Sequence, residues 1–288
     1  MLNFSILNIN KPAGMTSFDV VNHIRKLFGL KKCWHFGTLD PKVTGFLPIC
    51  LGNACKLQEY FMHHDKVYVG KMKIHKAINR EKLENGMKKF VGKINQLPPR
   101  KSRVKRQLRE REIIKFELTN FNEDKKEAEF IAEVQAGTYI RKLISDLGEE
   151  LGVGAQMIEL RRTRAGLFDE KDKEFLTLDE LDKILNCKNE DEKEKKLREK
   201  LIPAEVIVKI LDCIEIKPES VEKLKNGSPI FESMIDEKNK KDYNKYVEII
   251  NKKQPFAVFS GNKLIEIARF SDRFENPEIL AKPDAVVI

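Results

Sequence analysis

The segment His35-Phe36-Gly37-Thr38-Leu39-Asp40-Pro41-Lys42-Val43-Thr44-Gly45 constrains the fold of this chain more than any other. Pro41 fixes its own φ and biases Asp40 towards extended backbone. Gly37 and Gly45 permit tight turns on either side. The segment reads as a stiff loop that holds one carboxylate in a fixed direction, which a carboxylate needs if it is to act on a bound molecule. The plain alternative is a turn in which Asp40 bonds its own backbone.

The flanks of this loop alternate between strand and helix signals. Ile6, Leu7 and Ile9 read as a strand running into the Lys11-Pro12-Ala13-Gly14 turn. Thr16 and Asp19 have capping-box spacing, and Val20, Val21, Ile24, Leu27 and Phe28 follow with helical period up to Gly29. Tyr68, Gly70, Met72 and Ile74 alternate like a strand, as do Ile114, Phe116 and Leu118, and then Ala128, Phe130, Ala132 and Val134. Leu83, Met87 and Phe90 suggest a helix, and Ile140, Leu143, Ile144, Leu147 and Leu151 a clear amphipathic one. The pattern predicts an α+β fold with a mixed, mainly antiparallel sheet. Residues 169–200 are rich in Lys, Glu and Asp and read as a charged linker or solvated helix, with a short helical signal at 177–181. Beyond it, a turn at 226–229 and a hairpin signal at 256–267 around Ser260-Gly261-Asn262-Lys263 predict a small β domain. The expected division is 1–202 and 203–288.

The 288 residues carry 54 Lys and Arg against 45 Asp and Glu, a formal charge of +9, which points to a polyanionic partner such as nucleic acid. A lysine-rich composition with no binding role would give the same number. No apolar run approaches the ~18 residues of a membrane span, and no signal peptide is visible, so the expected location is the cytoplasm, with no membrane partner. The five cysteines are scattered without a C-x-x-C pair, and the five histidines lack metal-ligand spacing; no metal site is expected.

Four further segments bear on chemistry. Tyr68 in Lys66-Val67-Tyr68 is either a half-buried sheet residue or a ring able to stack on an extruded base. Seven of the twelve residues 100–111 are basic, with Glu110 the lone acid, which favours phosphate contact by residues including Arg103, Lys105 and Arg106. Arg141, in the first turn of its helix, opposes the helix dipole unless an anion lies opposite, and Asp40 is the expected partner. Arg161, Arg162 and Arg164 suit phosphate contact, whereas the Gly152–Gly154 pair lacks the lysine of a phosphate loop and follows a helix rather than a strand.

Taken together, Lys11–Ser17, the Asp40 loop, Lys66–Tyr68, the 102–106 stretch, Gly137–Arg141 and Leu160–Gly166 resemble the TruB superfamily of pseudouridine synthases in order and spacing. The resemblance is closest to the dyskerin-like catalytic subunit of archaeal box H/ACA ribonucleoproteins, through Thr38–Gly45, 102–109 and Glu159–Gly166. It implies isomerisation of uridine to pseudouridine in rRNA or tRNA, without a cofactor. It also implies a C-terminal β-barrel PUA domain that binds RNA. The implied partners are a box H/ACA guide RNA, the substrate RNA and small accessory proteins, one of them kink-turn-binding. By the same resemblance Asp40, Tyr68 and Arg141 are catalytic. His35, Tyr139, Leu160, Lys11, Arg103, Lys105 and Arg106 bind substrate. A eukaryotic relative would be nucleolar. The alternative in the same superfamily is the stand-alone enzyme of the tRNA T-loop, which the short run Met1–Phe4 before the first strand favours; a non-catalytic RNA-binding scaffold is a third reading. Trp34 and Phe36 stand where relatives carry small residues beside the motif histidine.

Overall fold

A computed structural model describes residues 2–99, 105–236, 246, 248–249, 252–270 and 278–288. Strand β1 (Phe4–Lys11) ends at the Pro12 turn, and helix α1 (Ser17–Leu27) starts from a capping box in which Thr16 and Asp19 satisfy each other's backbone amides. Strands β2 (Cys33–His35) and β3 (Thr44–Gly52) enclose the Asp40 loop. The chain continues through α2 (Gln58–Met62), β4 (Lys66–Ile74), α3 (Arg80–Lys88), β5 (Gly92–Gln96), β6 (Arg109–Asn122), β7 (Glu127–Val134), α4 (Ile140–Glu150) and β8 (Ala155–Ala165). The main sheet runs β10-β1-β3-β8-β4-β7-β6-β5, where β10 is Phe175–Thr177. Its pairings are antiparallel except for β3 with β8 and β1 with β10, so the α+β, mainly antiparallel expectation holds.

Two expectations are corrected here. Residues 169–200 are not a linker. They supply β9 (Phe168–Asp169 at their start), β10, α5 (Leu178–Leu185) and α6 (Glu190–Lys200), and β11 (Ile202–Pro203) follows. Strand β10 adds to β1 in parallel, and Leu176 and Leu181 are buried in the main core. The charge run hid these few apolar anchors; only α6, which buries no residue completely, is the solvated helix the composition suggests. In β6 the inward residues are Ile113 and Phe116, while Ile114 points to solvent, because a bulge at Ile113/Lys115 breaks the strict alternation.

The C-terminal sheet runs β12-β14-β15-β16-β13, with β12 Cys213–Glu215, β13 Ile230–Phe231 after α7 (Val221–Lys225), β14 Phe256–Ser260, β15 Lys263–Phe270 and β16 Ile279–Val286. Gly261, at φ +59°, makes the β14–β15 turn as its sequence predicts. Ala257, Leu264, Ile267 and Val287 join Ile6, Phe36, Phe46 and Phe61 in one apolar cluster, so the two sheets share a core. Polar ties reinforce it: Tyr60 Oη donates to Asp284 at 2.8 Å, and Lys56 Nζ donates to the Val286 carbonyl at 2.6 Å.

Glu266 on β15 is fully buried, and among the described residues neither carboxyl oxygen has a hydrogen-bond partner. Burial pushes its carboxyl up to about 8. The folded chain therefore binds this proton more tightly than the unfolded chain does, and stability falls as pH rises from about 4.5 towards 8. Glu266→Gln should raise the melting temperature at pH 7.5 and lose the advantage below pH 4.5. Calorimetry of both proteins across that range checks this; parallel curves would contradict it.

Candidate active site

The Asp40 loop is fixed from below by groups distant in sequence. The Ser17 hydroxyl donates to the Leu39 carbonyl at 3.1 Å and accepts from the Leu39 amide at 2.8 Å. Gly14 N donates to the Pro41 carbonyl at 2.9 Å, and Val43 N to the Asp40 carbonyl at 3.0 Å. Leu39 and Val43 are buried on either side of the exposed carboxylate. Gly45 has φ +97°, and a Cβ there would sit 2.2 Å from the Arg162 carbonyl, so strand β8 leaves room for glycine alone.

Asp40 and Arg141 form an ion pair, as the sequence suggests, but the pair is not buried: the side chains are 50% and 54% exposed. Such a pair contributes ~0–1 kcal/mol to stability. Its value is directional, since the guanidinium aims the carboxylate. The N-terminus of α4 is itself fixed by buried Gln96, whose side chain donates to the Tyr139 carbonyl at 3.1 Å and accepts from the Tyr139 amide at 2.8 Å.

Tyr68 reaches the same place through strand register. Arg162 on β8 lies opposite Gly45 of β3 on one side and Tyr68 of β4 on the other. With strands ~4.8 Å apart, this row sets Tyr68 about two strand spacings from the base of the loop. Leu160 lies on β8 opposite Gly70, and both Tyr68 and Leu160 are largely buried in the main core. Tyr139 is half-buried at the start of α4. Lys105 and Arg106 are exposed on the approach to β6, whose Arg111 packs against Gly137 just before Tyr139. Arg103 lies outside the described residues.

Lys11 is corrected from phosphate contact to structural clamp. It is fully buried, and its ammonium donates to the carbonyls of Pro12 and Met15 at 2.7 Å and of Pro41 at 3.2 Å. Burial lowers its pKa. Of the three arginines of β8, only Arg162 is corrected likewise. Arg161 pairs with Glu170 and Arg164 with Glu133, while Arg162 is 1% exposed and donates to the carbonyls of Phe46 at 2.8 Å and Gly37 at 3.1 Å. Lys66 is buried too, on the carbonyls of Met62 and His64, and burial with the nearby Arg162 charge lowers it to about 8. His35 is brought down to about 4 by burial and then by Arg162, so it is neutral at physiological pH and offers no charge to a phosphate. The clamping roles of Ser17, Gln96 and Arg162 leave no local signal in the sequence, because their partners lie far along the chain.

The α+β frame thus presents one exposed carboxylate about two strand spacings from the buried ring of Tyr68, on a basic chain. Residues 25–84 match the N-terminal domain of TruB family pseudouridylate synthase, and residues 141–209 match the tRNA pseudouridylate synthase B C-terminal domain. A protein of Archaeoglobus fulgidus described as "Probable tRNA pseudouridine synthase B" is 41% identical over 263 residues, covering 91% of this chain and 77% of its own length. A Methanococcus maripaludis protein of the same description is 38% identical, covering 92% of this chain and 78% of its own. Among solved structures, a chain of "Crystal Structure of a Cbf5-Nop10-Gar1 Complex" superposes with TM-score 0.84 at 32% identity, covering all of this chain and 86% of the other. A chain of "Structure of H/ACA RNP bound to a substrate RNA containing 2'-deoxyuridine" gives 0.81 at 30%, with coverage of 100% and 86%. The chain belongs to the TruB family of pseudouridine synthases. Among the described residues, no helix is long and apolar enough to cross a membrane.

Replacing Lys11 by Met strands three carbonyls at ~1–3 kcal/mol each before relaxation and frees the Pro41 side of the loop. We expect a lower melting temperature and a fall in kcat of roughly 100-fold, the cost of an ångström-scale misplacement. A phosphate contact would instead raise KM and flatten its salt dependence, so steady-state kinetics at two salt concentrations separates the roles.

Proposed function

We propose that this pseudouridine synthase works as the catalytic subunit of a guide-RNA ribonucleoprotein of the H/ACA kind. The observation that carries this is the superposition along the whole chain, C-terminal sheet included, on chains from a Cbf5-Nop10-Gar1 complex and from two H/ACA complexes. In this reading residues 203–288 form a PUA domain that holds the guide RNA, and small accessory proteins complete a particle in the cytoplasm of an archaeal cell. The descriptions of the curated relatives favour a second reading, action on tRNA by the chain alone.

The target uridine leaves its stack to reach Asp40. Asp40 then either attacks C1′ of the ribose or removes a proton from C2′. The N1–C1′ bond breaks, the base turns, and a C5–C1′ bond forms as the Asp40–C1′ ester bond breaks or as Asp40 returns the proton to C2′. The C5 proton leaves and N1 gains one, so atoms balance without a cofactor. Arg141 aims the carboxylate, Tyr68 stacks on the base, Tyr139 and Leu160 wall the pocket, and His35 adds a neutral ring beside it. Lys105 and Arg106, with Arg103, meet the RNA backbone.

The test is tritium release from RNA labelled at uridine C5. Release that requires guide RNA and accessory proteins supports the guided reading, and release from a tRNA transcript by the chain alone moves the assignment to the second. Asp40→Ala should abolish release while RNA affinity stays within about twofold. Turnover near wild type would remove Asp40 from the mechanism. Arg141→Ala should lower kcat by more than tenfold with a melting temperature within about 2 °C of wild type, since the pair is half exposed; a large loss of stability would mean that the pair is structural.

A further inference from the structure

Strand β2 turns Cys33 and His35 inward and Trp34 outward. Trp34 is the only tryptophan of the chain. Its ring stacks on His35 at 5.3 Å between centroids and 25° between planes, and the residue remains 40% exposed. It lines a cavity of about 360 Å³ together with Phe18, Arg25, Lys31, Lys32 and Gln58. That volume falls within the ~300–1,000 Å³ of small-ligand sites. The cavity lies between α1 and β2, the two elements that lead to the Asp40 loop: Ser17 of α1 holds Leu39, and His35 of β2 precedes Asp40 by five residues.

Two large aromatic side chains face solvent here, Phe18 at 57% exposure beside Trp34. Among the described residues, three cations border them and no carboxylate lines the cavity. An acidic peptide would satisfy the charge and leave the flat ring without a flat partner. An unpaired nucleotide supplies both a π face and a phosphate. Arg25 is already oriented, donating to Asn22 Oδ1 at 2.9 Å.

We propose that this cavity binds an unpaired nucleotide of the RNA being modified, its base stacked on Trp34 and its phosphates met by Arg25, Lys31 and Lys32. The inference rests on the assignment of RNA as substrate and adds a second contact point beside the reacting one.

The single tryptophan gives a direct readout. The full chain is titrated with a short unstructured oligouridylate while indole emission is recorded. Saturable quenching is expected. Fluorescence anisotropy of a labelled oligouridylate should show Trp34→Ala weakening binding by about 5- to 150-fold, the range for loss of one stacked base, and Trp34→Phe retaining most of the affinity. The pair Lys31→Ala and Lys32→Ala should reduce the slope of log affinity against log salt by about 1.4. Emission unchanged by RNA, equal affinity of Trp34→Ala, or equal quenching by heparin, which carries charge without bases, would overturn the proposal. An emission shift caused by an accessory protein and not by RNA would overturn it as well and assign the surface to protein docking. Tritium release by the wild-type chain is measured in parallel. Its absence in every reaction would count against the functional reading, whereas the quenching titration would still decide the cavity.

Discussion

The guanidinium of Arg162 is the contact on which the site depends. It sits at the centre of the main sheet, on the strand that joins β3 to β4, and it holds the carbonyls of Gly37 and Phe46. Those two residues bracket the Asp40 loop. One buried side chain thus closes the loop at both ends while its backbone sets Tyr68 and Gly45 in a single row. Lysine would do this poorly, since a planar fork reaches two carbonyls at fixed angles and cannot lose its charge on burial.

Arg162 is one of three buried cations in this region that bond backbone carbonyls, the others being Lys11 and Lys66. Carbonyls satisfy the donors but leave the net charge in place. The cost is visible nearby: Lys66 drops to about 8 and His35 to about 4, each by burial first and the Arg162 charge second. The benefit is a positive interior under a loop that presents an anion and receives a polyanion. The surface ion pair of Asp40 with Arg141 adds a further cation to this arrangement.

Much of this was legible in the sequence wherever cause and effect lie close together in the chain. The Thr16–Asp19 cap and the Gly261 hairpin turn are local, and they stand as read. The side of the sheet to which Lys11 or Arg162 points is not local. A cation carries the same letter whether it ends on a phosphate or under a carbonyl, and their partners Pro41 and Phe46 are 30 and 116 residues away. The bulge in β6 was hidden for a related reason, because alternation assumes a strand without an extra residue. Residues 169–200 read as a charged linker or solvated helix because Leu176 and Leu181 are few among many charges, yet these two anchor the segment in the main core.

The late docking of that segment has a consequence for how the molecule is made. Strand β1 leaves the ribosome well before its neighbours β10 and β11, which lie at Phe175–Thr177 and Ile202–Pro203. The clasp on the Asp40 loop likewise waits for Arg162. Contacts of such sequence separation form slowly, and unpaired edges stay open until they do. The Asp40 loop therefore acquires its shape only once Arg162 has been synthesised, and a product that ends before that residue lacks the clasp as well as the C-terminal sheet.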